Sequence, residues 1–219
     1  MLRCAVRRFS LSLLFTLACL SLGARGAQAT TIIDAFNDGS VNIPGPAANF
    51  LQAGLTDVLD GTRVDDVSNS AGTLNIDLAF ADKLRFTTTS ASIAMMTYPT
   101  PNTNFFDLME GGSTGFFELE VVNVSDANDF AISVTVLDDD GGSDSQSFAF
   151  SGIGTLILDF SDFTGVNFAE VQQVQLTLAS STDGFIKLGE FSAVPEPSTA
   201  ALMGLGLLGL AITGQRRAA

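Results

Sequence analysis

The chain has 219 residues, 24 of them acidic and 10 basic, with no His, no Trp and two Cys, for a net charge of −14. Without His there is no Ser-His-Asp or Cys-His catalytic site and no His-containing zinc site, and two Cys cannot form a four-Cys zinc site. An isoelectric point near 4.1 excludes nucleic acid as a natural partner, because phosphate contacts need Lys and Arg.

The positive mean hydropathy, +0.35, comes largely from the two ends. Residues 1–29 read as a secretory signal peptide. Arg3, Arg7 and Arg8 open it, residues 11–22 form an apolar run, and Ala27-Gln28-Ala29 places small residues at Ala27 and Ala29 for signal peptidase. A run this short falls below the roughly 20 residues of a spanning helix. Cys4 and Cys19 both lie in this removable segment, so the chain from Thr30 onward holds no disulfide. Its core, with or without a metal ion, must hold the fold.

Residues 30–194 carry 23 acids and four bases, a net −19. Their pattern is that of an all-β protein, with short alternating runs separated by Gly, Asp, Asn and Ser. Strands are expected at about 31–36, 74–80, 84–88, 117–121, 130–136, 146–150, 156–160, 174–178 and 185–191. A turn of helix is allowed near 168–172. About nine such strands predict two packed antiparallel sheets, a jelly-roll-like β-sandwich. Sixteen Phe fall in this stretch and supply its core. In the pairs Phe105-Phe106 and Phe116-Phe117, an extended backbone turns one ring of each away from the other. Ile33-Asp34-Ala35-Phe36-Asn37-Asp38, Asp159-Phe160-Ser161-Asp162-Phe163 and Lys187-Leu188-Gly189-Glu190-Phe191 together resemble the carbohydrate-binding jelly rolls of the galactose-binding type. That resemblance is one of pattern and bears on fold.

Several side-chain groups are candidates for chemistry. Glu118 and Glu120 share one strand face, roughly 7 Å apart, within the range of paired glycosidase carboxylates. The opposite face is apolar, so a solvated surface is the simpler reading. A structural Ca²⁺ would relieve the acidic excess. Two ligand sets are available: Asp34, Asn37 and Asp38 with Glu190, where first and last strands would meet, and Asp138, Asp140 and Asp144 in the run Asp138-Asp139-Asp140-Gly141-Gly142-Ser143-Asp144. The second lacks the EF-hand order and reads better as a solvated hairpin tip. Residues 97–104, with Tyr98, Asn102 and Asn104, read as an exposed loop able to bond sugar hydroxyls.

The C-terminus is the most specific part. Val194-Pro195-Glu196-Pro197-Ser198 precedes an apolar run at 200–212 and Arg216-Arg217. Thirteen residues cover about 20 Å of a roughly 30 Å hydrocarbon core, and extending to about 198–214 gives a minimal transmembrane helix. The two arginines keep the end cytoplasmic and Pro195 outside. This order of parts resembles the PEP-CTERM sorting signal of Gram-negative bacteria, in which Pro195, Glu196 and Pro197 would be the recognition motif and Arg216 and Arg217 the stop. The resemblance implies an exosortase-like membrane protease as partner, cutting near the motif. An ordinary single-span anchor is the alternative.

The expected organisation is a signal peptide at 1–29, an exported β-sandwich at 30–194 and a sorting signal at 195–219. The expected function is a non-catalytic structural protein of the cell surface or extracellular matrix, anchored briefly in the inner membrane after passing the secretion machinery. A carbohydrate-binding module for exopolysaccharide is the alternative, and a glycan-active hydrolase the least favoured.

Overall fold

The structure, a computed structural model, describes residues 30–37, 41–77, 83–99, 105–110 and 114–196. The segments read as signal peptide and transmembrane helix lie outside the described residues. Among the described residues no helix is long and apolar enough to cross a membrane.

Residues Thr30–Pro195 form one compact unit of thirteen strands in two antiparallel sheets. The strands are β1 (Thr31–Asp34), β2 (Val41–Pro44), β3 (Ala47–Ala53), β4 (Thr62–Val67), β5 (Gly72–Asp77), β6 (Lys83–Thr88), β7 (Ser92–Pro99), β8 (Gly115–Val124), β9 (Phe130–Asp138), β10 (Ser143–Ser147), β11 (Gly154–Asp159), β12 (Val171–Ser180) and β13 (Gly184–Pro195). One sheet has the order β11-β8-β13-β6-β5-β2, with β1 added beside β13. The other runs β10-β9-β12-β7-β4-β3. The fold is therefore an all-β sandwich.

Alternation builds both sheets. Along β8, Phe117, Leu119 and Val121 point inward and are buried, while Phe116, Glu118 and Glu120 point out. The same rhythm puts Ile132, Val134 and Val136 of β9, and Val174, Leu176 and Leu178 of β12, on the inner face. Phe117 sits at the centre of an aromatic cluster. Its ring lies 4.9 Å from Phe160, 5.8 Å from Phe163, 6.0 Å from Phe168 and 5.7 Å from Phe191. Phe160 and Phe168 stack at 4.1 Å.

Each of the nine expected strands overlaps an observed one, with shifted ends. β1 stops at Asp34 because Phe36 takes a left-handed backbone, φ 53°. The expected strand at 146–150 is displaced to Ser143–Ser147, an all-polar edge. No helix forms at 168–172; a turn there leads straight into β12 at Val171, and short helical turns fall instead at Leu59–Gly61, Ala127–Asp129 and Phe160–Asp162. Four strands, β2, β3, β4 and β7, were not expected. Tyr98 belongs to the last of them. It lies within β7 and is fully buried, not in an exposed loop.

Truncating the central ring removes its contacts with all four neighbours. Phe117→Ala should lower unfolding free energy by about 3–5 kcal/mol, read as a reduced urea midpoint with an unchanged slope.

Candidate functional site

Two strands that break the usual pattern turn charge inward. β4 reads Thr-Arg-Val-Asp-Asp-Val, and its alternation buries Arg63, Asp65 and Val67. Arg63 Nη1 donates to Asp34 Oδ2 of β1 at 2.5 Å, and Arg63 Nε lies 3.0 Å from Asp65 Oδ1. Tyr98 Oη donates to Asp34 Oδ2 at 3.0 Å, the Phe36 amide to Asp34 Oδ1 at 2.7 Å, and Gln52 Nε2 of β3 to Asp65 Oδ2. Asp34 and Asp65 are both 0% exposed and Arg63 is 1% exposed. The cluster joins the two sheets, since β1 belongs to one and β3, β4 and β7 to the other.

Burial lifts the pKa of Asp34 and of Asp65, while the Arg63 charge pulls each back toward its usual range. Burial acts to lower that of Arg63, but the Asp34 and Asp65 charges outweigh it and keep the guanidinium protonated. Thus the first and last strands do meet, with Thr31 opposite Ala193 and Asp34 opposite Phe191. Asp34, offered from sequence as a calcium ligand, is instead held by a guanidinium. Asn37 and Glu190 are exposed, and Asp38 lies outside the described residues. Among the described residues no three acidic side chains are grouped to hold a metal.

The Asp138–Asp144 run forms a hairpin tip between β9 and β10, with Gly141 at φ 83°. Asp138 accepts from the Gly142 amide at 2.6 Å and the Asn167 amide at 2.7 Å. Asp144 accepts from the Thr164 amide at 2.8 Å, from Gln146 Nε2 at 3.0 Å and from the Ser145 amide at 2.8 Å. Those bonds, that from Thr164 foremost, hold the Asp144 pKa below the usual carboxylate value. Both carboxylates are employed in tying the hairpin to residues 164–167. Asp140 is exposed at the turn, and Asn102 and Asn104 lie outside the described residues.

The two outer faces differ in character. On the seven-stranded sheet stand Glu118, Glu120, Lys83, Arg85 and Lys187, which include three of the four bases of residues 30–194. Lys83 Nζ bonds Glu120 Oε2 at 2.9 Å, and the Arg85 guanidinium lies 4.7 Å from the Phe185 ring centre. Glu118 and Glu120 thus lie on an open sheet face with Glu120 engaged.

The six-stranded sheet shows almost no charge. Strand register aligns Leu51, Val64, Thr97, Gln175, Thr135 and Ser145 in one row across all six strands. The next row holds Asp66, Met95, Thr177, Ser133 and Ser147. Gln175 Nε2 donates to Thr97 Oγ1 at 3.1 Å, and Thr135 Oγ1 to Ser145 Oγ at 3.0 Å. Asp66, the one charge in these rows, accepts from the Asn49 amide at 2.5 Å. No single residue of this face stands out in the sequence; only the register of four unexpected or edge strands assembles it.

The last strand runs on to Pro195. Ala193 pairs with Thr31 of β1 on one side and with Phe117 of β8 on the other, Val194 with Phe116, and Pro195 with Gly115. Ala193 and Pro195 are buried and Glu196 is exposed. Over residues 193–217 the chain matches the family described as the PEP-CTERM protein-sorting motif. The chain carries a PEP-CTERM sorting signal. Such a signal marks an exported protein sorted by an exosortase. Its match begins inside β13, while Pro197, Arg216 and Arg217 lie outside the described residues.

No curated protein matches the chain. Among solved structures it is similar to TmCBM61 in complex with β-1,4-galactotriose, at 9% identity and TM-score 0.39, covering 61% of this chain and 88% of that one. It is also similar to a family 11 carbohydrate-binding module from Clostridium thermocellum in complex with a β-1,3-1,4-mixed-linked tetrasaccharide, at 13% identity and TM-score 0.39, covering 77% and 97%. An exo-β-agarase matches at 11% identity and TM-score 0.44, covering 77% of this chain and 25% of that one. Similarity at this level transfers neither ligand nor activity.

The buried carboxylates give the folded protein a pH signature. Because the folded pKa of Asp34 and Asp65 lies above the ordinary 3.8, the folded state holds protons that the unfolded chain has released. Their contribution is fullest below 3.8 and is lost as pH rises through the raised values. Asp144 acts oppositely: its contribution is present above 3.8 and is lost as pH falls through its lowered value. The melting temperature should therefore rise as pH is lowered through those raised values toward 3.8, in a series of thermal melts at constant ionic strength. A steady fall over that range would contradict the assignment.

Proposed function

We propose that this is an exported, non-catalytic protein that binds neutral polysaccharide of the cell surface or extracellular matrix through the outer face of its six-stranded sheet. The observation that carries the reading is the near absence of charge on that face, in a domain of net −19. Gln173, Gln175, Thr97, Thr135, Thr177 and Ser145 present amides and hydroxyls that match sugar hydroxyls as donors and acceptors. Met95, Ile93 and Leu51 supply apolar surface for the C–H faces of the rings. An open face that runs from edge strand β10 to edge strand β3 suits a long chain laid across the strands. A polyanionic polymer fits less well, since the overall charge repels it.

Delivery is the work of the two ends: the secretion machinery and signal peptidase act on residues 1–29, and an exosortase-like protease acts near Pro195-Glu196-Pro197. A transient inner-membrane anchor at about 198–214 would hold the protein until it is cut. A hydrolase is disfavoured by Glu118 and Glu120, which lie on an open face with Glu120 bonded to Lys83.

Gel electrophoresis through embedded galactan, xylan or mixed-linkage glucan tests the binding reading. At least one neutral polymer should retard the protein. Gln175→Ala should weaken that interaction about fivefold to tenfold, the value of one or two hydrogen bonds. Glu120→Gln, on the other sheet, should change nothing. Absence of retardation by any neutral polymer, or equal loss in both variants, would refute it.

A further inference from the structure

The sorting signal and the folded domain share residues. Ala193, Val194 and Pro195 fall within the match to the sorting motif and are also the last three residues of β13. At Ala193 the strand is flanked on both sides, by Thr31 of β1 and Phe117 of β8; at Val194 and Pro195 it is flanked by β8 alone. Pro195 lies against Gly115, where a side chain is excluded: an added Cβ would come within 2.9 Å of the Val194 carbonyl oxygen and 2.7 Å of the Phe160 ring. The strand end is therefore packed down onto β8 and the aromatic cluster. Glu196, one residue on, is exposed.

A protease binds its substrate extended, forming backbone hydrogen bonds to the residues beside the scissile bond. In β13 those backbone groups are committed to the sheet on both sides at Ala193 and on the β8 side through Pro195. Opening the last residue or two breaks pairing with β8 only, whereas opening at Ala193 must also part β13 from β1. Resting on the exosortase-processing reading above, we infer that the fold itself sets the cleavage site: bonds up to Val194–Pro195 are closed, and the cut falls at Pro195–Glu196 or further toward the C-terminus. In that step one backbone C–N bond breaks. The acyl carbon passes to water or an acceptor amine, and the leaving nitrogen takes the proton that nucleophile gives up. The released domain keeps β13 whole.

Two measurements test this. The full chain in detergent micelles is treated with elastase, which cuts after small residues such as Ala193, and the fragments are weighed by mass spectrometry. Cleavage after Ala193 should be at least about tenfold slower than in the same chain unfolded in urea, and the resistant fragment should end at Pro195 or beyond. Equal rates, or a resistant fragment ending before Val194, would overturn the inference. The second measurement is the C-terminal mass of the protein released by the host cell. An end at Pro195 or later supports the inference, and an end at Val194 or earlier overturns it. If the host chain stays uncut through Arg217 while the bond after Ala193 still resists elastase, the processing reading fails and the fold-set boundary stands. Gly115→Val, which forces the strand end off β8, should admit elastase after Ala193, with the far-ultraviolet β-sheet circular dichroism retained.

Discussion

Arg63 lies at the centre of a sandwich held between two buried carboxylates, and much of the molecule depends on that arrangement. Its bond to Asp34 ties β1 to the six-stranded sheet, and β1 in turn closes the open side of β13 at Ser192 and Ala193. Breaking one partner of a buried pair leaves the other charge uncompensated, at a cost of about 3–5 kcal/mol. The effect would extend beyond the core, because the strand secured by β1 is the one that leads into the sorting signal. A domain with 23 acids and four bases has placed one of those bases where no solvent reaches it. At this buried site the countercharge for Asp34 and Asp65 comes from within the chain.

The other three bases stand together on the outer face of the seven-stranded sheet, where Lys83 meets Glu120 and Arg85 covers Phe185. That distribution leaves the two faces chemically distinct. One is a charged, solvated surface. The other is a plane of amides, hydroxyls and a few apolar groups, on which a neutral hydroxyl-rich chain meets little repulsion. The period of two in a strand makes this possible, since inner and outer residues are set independently.

How much of this was legible in the sequence follows from the same period. Strands β8, β9 and β12 alternate apolar with polar, and their inward residues are visible at once. β4 alternates equally well, but its inward residues are Arg63 and Asp65, so a hydropathy pattern reads the core side as solvent. β7 carries Ile93 and Met95 outward as well as Ala94, Met96 and Tyr98 inward, and its contrast is flat. Tyr98 then looks like a loop residue beside Pro99, though its hydroxyl is spoken for by Asp34. β2 and β3 are edge strands, one in each sheet, and β3 is broken by a shift of register and by Asn49 in a left-handed backbone. The one available signal for the buried cluster was the spacing of Arg63 and Asp65 at i and i+2 within an alternating run. The sorting motif was readable as a string of residues. Its overlap with β13 was not, because Ser192, Ala193 and Val194 show no alternation; Ser192 and Ala193 are both buried where β1 adds to the sheet.

Contact between the uncharged sheet face and neutral polysaccharide, as proposed, can be read by side-chain NMR of the full chain in detergent micelles. On titration with galactan, xylan or mixed-linkage glucan oligosaccharides, the Met95 methyl signal and the Gln173 and Gln175 side-chain amides should shift in a saturable manner. Signals from Arg85, Phe185 and Lys187 on the opposite face should stay in place. Shifts confined to those three residues, or none anywhere, would rule out binding at this face.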